Sequence, residues 1–203
     1  MKNRCVIVGS MNVDSRIQDY LEDSFVIAAD GGLLNLEKSN ITPDLILGDF
    51  DSLGFEPEGE NVIKYPVKKN DTDMMLAVKK AIDLGYKEIV VFGGCGGRLD
   101  HTLANINTMV YALEKSASIS ILDSQNDMYI TDDALRLSRR DKDNISLFAI
   151  EEKAVVDIEG AKYSGKNIVI SNNTTLGVSN SFADDEVKIS VVEGTVLVIV
   201  SNE

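Results

Sequence analysis

The apolar positions of the chain follow two regimes. Up to about residue 125, short apolar runs alternate with stretches whose apolar residues recur every three or four positions; beyond it only the short runs continue. Cys5-Val6-Ile7-Val8, Phe25-Val26-Ile27-Ala28-Ala29, Leu45-Ile46-Leu47, Val62 to Tyr65, Glu88 to Phe92 and Ile119 to Leu122 have strand length, and glycine or aspartate closes most of them. Helices are predicted between them over Asp14 to Leu21, Leu33 to Lys38, Thr72 to Leu84 and Asp100 to about Lys115. In the third, Met75, Val78 and Ile82 share a face, Asp71 or Thr72 can cap the start and Gly85 can end it. In the fourth, Asp100 is the expected cap, with Leu103, Ile106, Val110 and Leu113 facing inward. Strands alternating with helices favour a largely parallel sheet with right-handed crossovers.

After this point no helical pattern of any length occurs. Met128-Tyr129-Ile130, Leu135-Arg136-Leu137, Ile145 to Ile150, Val155 to Ile158 and Ile168-Val169-Ile170 are short runs parted by polar turns. Glu186 to Val192 and Thr195 to Val200 flank Glu193-Gly194, which predicts a hairpin. The expected fold class is α/β, with an amino-terminal largely parallel sheet and flanking helices, followed by a carboxyl-terminal all-β sandwich. The expected division is 1–125, an α/β domain carrying nucleotide, metal and catalysis, and 126–203, a β-sandwich.

A chain of 203 residues, 44% of them hydrophobic, can fill one large core or two small ones. The formal charge of −13 argues against nucleic acid or an anionic membrane as a partner, because both attract basic surfaces. A phosphorylated substrate is compatible with it when a metal ion comes too. Cys5 and Cys95 form no Cys-x-x-Cys pair and His101 is the single histidine, which all but excludes zinc sites of the usual kind. The apolar run at the amino terminus is too short for a signal peptide, and no stretch reaches the ~20 apolar residues of a membrane span. A cytoplasmic location is the expectation.

The chemistry starts from Leu45-Ile46-Leu47-Gly48-Asp49-Phe50-Asp51-Ser52. Ligands in open α/β sheets bind beyond the carboxyl ends of the strands, where Asp49 and Asp51 would sit. On an extended backbone the two carboxylates point the same way and repel unless a cation lies between them. A solvated turn is the simpler explanation of the pair alone. Other polar groups also follow strands, however: Asp30, then Lys69-Asn70-Asp71-Thr72-Asp73, then the loop Gly93 to Gly97 with Arg98 and Asp100. A parallel sheet sets all of these on one edge, and a shared site explains them together better than four separate turns and caps do. The parts suit a nucleotide bound with Mg²⁺, which is held by one or two carboxylates plus substrate phosphates. Glycine amides approach phosphate oxygens, and Arg98 can grip them with two prongs.

Three near matches fail. Gly160 to Asn167 almost spells a P-loop, but Asn167 stands where Ser or Thr is required and a strand follows. Gly94-Cys95-Gly96 starts a dinucleotide fingerprint that Leu99 breaks, and Gly177 to Ser181 lacks the second glycine of a nucleophile elbow. His101, alone in the first turn of a helix, reads as a partly exposed polar residue.

At these residues the chain resembles the thiamine pyrophosphokinase family. The matching segments are Ala29-Asp30-Gly31-Gly32, Pro43-Asp44 through Ser52, Lys69 with Thr72-Asp73, and Gly96-Gly97-Arg98-Leu99-Asp100-His101 with Asn105. Gly160-Ala161-Lys162-Tyr163 and Leu176-Gly177-Val178-Ser179-Asn180 continue them into the β domain. The resemblance implies a homodimer with sites between subunits, and transfer of pyrophosphate from ATP to the hydroxyl of thiamine, leaving AMP. It implies that Asp49, Asp51 and Asp73 hold Mg²⁺ and that Asp30 lies near the reacting groups. It implies that Gly31, Gly32, Lys69, Thr72, Arg98, Asp100 and Asn105 face the nucleotide, and that Ser179 and Asn180 reach thiamine. Either Asp30 or Asp73 could accept the hydroxyl proton, so Asp30, Asp51, Asp73 and Arg98 form the expected catalytic set. Asn70, Ser164-Gly165 and Ser181 depart from the family pattern, and Asp71 is placed to make up the charge missing at Asn70. The competing readings are a pyrophosphokinase for another alcohol, such as a hydroxymethylpterin, and a nucleotide or thiamine sensor without turnover.

Overall fold

Six parallel strands build the sheet of the first unit, in the order β6-β5-β1-β2-β3-β4. They are β1 (Arg4–Val8), β2 (Ser24–Ala29), β3 (Leu45–Gly48), β4 (Val62–Lys64), β5 (Glu88–Phe92) and β6 (Ser118–Leu122). The computed structural model describes residues 2–202, which divide into two units, one ending at Ser124 and the other starting at Gln125. Val6, Ile7, Val8, Ile27, Leu47, Val91 and Phe92 have no exposed surface. Such unbroken apolar runs mark strands covered on both faces, as parallel strands are.

The helices are α1 (Gln18–Leu21, after a single 3₁₀ turn at Ser15–Ile17), α2 (Gly32–Lys38), α3 (Asp73–Asp83) and α4 (Leu99–Glu114). Thr72 caps α3, its hydroxyl oxygen accepting the Met75 amide at 3.2 Å, and Gly85 follows the end at φ +91°. Asp100 does not cap α4. Arg98 holds the cap position without a side-chain bond, and Asp100 sits within the first turn, accepting the His101 amide at 3.0 Å.

The inward faces also differ from the expected ones. On α4 the buried stripe is Asn105, Thr108, Met109 and Ala112, while Leu103 is 55% exposed and Ile106, Val110 and Leu113 are half-buried. On α3 Val78 is buried as expected, together with Met74, Ala77 and Ala81, while Met75 and Ile82 are half-buried. In both helices small residues share the inner face: Ala77, Ala81 and Ala112 have no exposed surface. A reading keyed to large apolar residues places the face too far round the helix.

The second unit is two antiparallel sheets. One has the order β12-β9-β14-β7 and the other β11-β10-β13-β8. Their strands are β7 (Asn126–Thr131), β8 (Ala134–Ser138), β9 (Asn144–Ala149), β10 (Lys153–Glu159), β11 (Gly165–Ser171), β12 (Asn180–Ser181), β13 (Glu186–Glu193) and β14 (Val196–Ser201). Leu147, Val156, Val187, Ile189, Val196 and Val198 lie in the core between the sheets. The hairpin expected at Glu193-Gly194 does not form. β13 is paired on both edges, by β10 and β8, and β14 is paired by β7 and β9. With no free edge to pair, the chain crosses at Gly194 (φ +81°) from one sheet to the other.

Candidate active site

The loops after β1, β2, β3, β4 and β5 open onto a cleft of about 560 Å³ at the carboxyl edge of the parallel sheet. Two glycines let those loops meet. A β-carbon on Gly9 would fall 2.6 Å from the Gly93 carbonyl oxygen, and one on Gly93 (φ +66°) would fall 2.6 Å from that of Gly9. Side chains at either place would separate the first loop from the glycine loop and open the floor of the cleft. Asn105 secures the same loop from α4, its amide nitrogen donating to the Gly94 carbonyl at 2.6 Å.

The carboxylates converge on this edge, although not by the extended backbone that the spacing suggested. Phe50 is buried and has φ +65°, so Asp49 and Asp51 flank a turn, and the Asp51 amide donates to Asp49 Oδ1 at 3.3 Å. The buried ring anchors the turn from below and leaves both aspartates at the cleft. Asp30 has φ +47°, and its amide donates to the Leu47 carbonyl at 2.8 Å. One oxygen each of Asp30, Asp49 and Asp51 lie within 4.8 Å of one another. Asp73, at the first turn of α3, lines the same cleft, but its ion-pair partner is Lys69 at 3.0 Å.

Lys69 is the counter-ion of this group. Its ammonium donates to Asp49 Oδ2 at 2.5 Å and faces Asp73 Oδ1 at 3.0 Å. The hydrogen bond from Lys69 holds the Asp49 carboxyl below the usual carboxylate range. Partial burial pulls Lys69 down, but the two carboxylates outweigh it and the net shift is upward. Asp73 is pushed up, first by burial and then by the charges of Asp49 and Asp30, against the opposing pull of Lys69. The charge of Asp49 pushes Asp51 up too.

A hard divalent cation fits these residues. The donors are all carboxylate oxygens, and Asp30 Oδ1 is buried without a hydrogen-bond partner. A buried anionic oxygen left unpaired is costly, and a cation among Asp30, Asp49 and Asp51 would satisfy it.

The other expected residues divide between the cleft and its surroundings. Thr72, Arg98 and Asn105 line it; Gly31, Gly32 and Asp100 do not. Gly32 packs α2 onto the sheet, since a β-carbon there would meet the Val8 carbonyl oxygen at 1.8 Å. Arg98 and Asp100 form an exposed pair with contacts of 2.6 and 3.1 Å. Asp71, placed to make up for Asn70, also lines the cleft, and its carboxylate pairs with Lys79 at 2.7 Å. Sequence reasoning missed Ser10 and Met11, Ser52, and the place of His101 at the cleft. The Gly9-Ser10 end of the first parallel strand was the available signal for the first two.

Ser179 and Asn180 belong to the second unit. Ser179 is exposed with φ +61°, and its amide donates to the Ser146 hydroxyl at 3.2 Å. Asn180 is buried. Its Oδ1 accepts the amides of Tyr163 and Ser181, each at 2.9 Å, and its Nδ2 donates to the Tyr163 carbonyl at 3.0 Å. The side chain thus braces the loop that presents Tyr163, which is 63% exposed.

An acidic cleft walled by a glycine loop at the carboxyl edge of a parallel sheet, in a chain that continues into a β-sandwich, defines an α/β enzyme class with a separate β domain. Residues 17–121 match the thiamin pyrophosphokinase catalytic domain, and residues 134–196 match the thiamin pyrophosphokinase vitamin B1 binding domain. The chain belongs to the thiamin pyrophosphokinase family. It is 28% identical to the thiamine pyrophosphokinase of Bacillus subtilis over 96% of each chain. The crystal structure of thiamine pyrophosphokinase from Bacillus subtilis superposes with a TM-score of 0.88 at 26% identity, covering 98% of this chain and 99% of that one. That from Geobacillus thermodenitrificans gives 0.85 at 25% identity, covering 98% of both. The chain is therefore an enzyme of the thiamine pyrophosphokinase type.

Proposed function

We propose that the protein transfers the pyrophosphoryl group of ATP to the hydroxyl of thiamine, with Mg²⁺, giving thiamine diphosphate and AMP. The observation that carries this reading is the meeting of Asp30, Asp49 and Asp51 at the sheet edge, with one buried carboxylate oxygen unpaired. Asp49 and Asp51 hold the metal together with Asp30 or Asp73, and the cation would offset charge on the transferred group. Attack on a phosphorus atom needs positioning and charge neutralisation rather than covalent chemistry. Lys69, Thr72 and Asn105 face the nucleotide, the exposed Arg98 closes on its phosphates, and Asp100 orients Arg98. Gly31 and Gly32 act at one remove, by seating α2. Asp30 or Asp73 accepts the hydroxyl proton.

The match of residues 134–196 to a vitamin B1 binding domain favours thiamine over a hydroxymethylpterin. We assign thiamine binding to the residues from 126 onward, with Ser179 in contact and Asn180 positioning the Lys162-Tyr163 loop, and the nucleotide and metal to 1–125. A homodimer accords with the exposed apolar side chains Tyr163, Leu176 and Val178. The free, buried Cys5 accords with a reducing cytoplasm, and no described helix is long and apolar enough to cross a membrane.

Incubation with ATP, Mg²⁺ and thiamine tests the proposal. AMP and thiamine diphosphate in equal amounts are expected. ADP with thiamine monophosphate, AMP formed only with a pterin alcohol, or tight binding without AMP would each overturn it.

A further inference from the structure

The turn that carries Asp49 and Asp51 also carries a group that the reaction has not used. Ser52 Oγ donates to Asp30 Oδ2 at 2.5 Å, linking the loop after β3 to the loop after β2. Phe50 and Leu53, both buried, pin this turn on either side of the two exposed residues Asp51 and Ser52, and the Leu53 amide reaches the Phe50 carbonyl at 3.3 Å. The serine hydroxyl is thus held by the fold rather than by its own packing. Asp30 is the less constrained partner, an aspartate with φ +47° whose carboxylate is fixed at Oδ2 only. Its Oδ1 is buried and has no hydrogen-bond partner.

A carboxylate with one oxygen tied by a hydroxyl cannot rotate freely about its last bond, so its second oxygen keeps one direction. We infer that Ser52 is a positioning residue that fixes Asp30 Oδ1 toward the divalent cation shared with Asp49 and Asp51. The inference rests on the metal reading of the cleft. Ser52 touches neither nucleotide nor acceptor in this account and acts only through Asp30. Its hydroxyl matters and its bulk does not, because the residue is exposed.

Manganese binding, followed by electron paramagnetic resonance on the full chain without nucleotide, gives a readout independent of turnover. Ser52→Ala is expected to raise the Mn²⁺ dissociation constant about 10- to 100-fold, in line with the effect of removing an outer hydrogen bond from a metal ligand. Ser52→Thr should stay within twofold of wild type. Ser52→Val, which keeps the shape of threonine without the hydroxyl, should match the alanine variant. In an Asp30→Asn background, Ser52→Ala should add no further loss, as expected of a residue acting through Asp30. Turnover should fall while the KM for thiamine stays within twofold. Mn²⁺ binding by Ser52→Ala or Ser52→Val within twofold of a wild type that itself binds the ion would overturn the role of Ser52. Equal losses in the presence and absence of the Asp30 carboxylate would also overturn it. Where the wild type takes up Mn²⁺ only together with a non-hydrolysable ATP analogue, the same comparison is made in its presence; a wild type that takes up none in either case would instead overturn the metal reading on which the inference stands.

Discussion

Gly48 lies directly against Asp30: a β-carbon on the glycine would sit 3.0 Å from the Asp30 Cα and 3.1 Å from its Cβ. β2 and β3 therefore end in contact, and this contact sets the height at which the Asp30 carboxylate meets Asp49 and Asp51. Gly48→Ala must push the loop after β2 away. The expected cost is about 1–3 kcal/mol of stability, measured by chemical denaturation. Turnover should fall, by less than the roughly 100-fold that a misplacement of about 1 Å costs, because the loop needs to give by only a few tenths of an ångström.

Lys69 holds two carboxylates that would otherwise repel. Lys69→Met is expected to cost the metal-free protein about 1–3 kcal/mol, since two partly buried anions lose their partner. Mg²⁺ should then raise the melting temperature of the variant more than that of wild type. The pH dependence follows from the direction of each shift. Asp49 is lowered, so its contribution is present above the ordinary carboxylate range and is lost as pH falls through its folded value. Lys69 is raised, so its contribution is present below the ordinary lysine value and is lost as pH rises through its folded value. The difference in stability between wild type and Lys69→Met should be greatest between these limits and shrink at both ends.

Burial raises Asp73, and the charge of Asp49 raises Asp51. Both must lose a proton before they can ligate a cation. Mn²⁺ or Mg²⁺ affinity should therefore start to fall, as pH is lowered, above the ordinary carboxylate range. Calorimetric titration at a series of pH values should show proton release on metal binding in that window. Affinity that stays flat down to the ordinary carboxylate range would place both groups outside the metal's reach.

Asn180 spends its side chain on the backbone of Tyr163 and Ser181. Asn180→Ala should destabilise the second unit by about 1–3 kcal/mol, because it leaves buried amide and carbonyl groups unpaired. Amide exchange at Tyr163 and Ser181 should accelerate. A variant with unchanged exchange and a raised KM for thiamine would make Asn180 a direct contact instead.

The sequence carried the alternation of strands and helices, and the gathering of polar groups at strand ends, because a parallel sheet puts every such end on one edge. Asp30, Asp49, Asp51, Lys69, Asp73 and Arg98 could be read on that basis, and all six line the cleft. What could not be read depends on backbone twists that no spacing encodes. The left-handed Phe50 turns Asp49 and Asp51 by a route other than strand alternation, and the sheet change at Gly194 depends on which edges are already paired. The inner face of α4 was misread because the buried positions are Asn105, Thr108, Met109 and Ala112, two of them polar and one small, rather than Leu103, Ile106, Val110 and Leu113. Ser52 was invisible as a functional residue because its partner, Asp30, is 22 positions away in another loop.

The central claim is that aspartates remote in sequence surround one metal-nucleotide complex, and Asp51→Asn tests it most directly. The side chain is exposed, so the variant should keep the circular dichroism and melting behaviour of the metal-free wild type. Formation of thiamine diphosphate from ATP and thiamine should be nearly abolished. A folded Asp51→Asn protein that turns over at close to the wild-type rate would contradict the account.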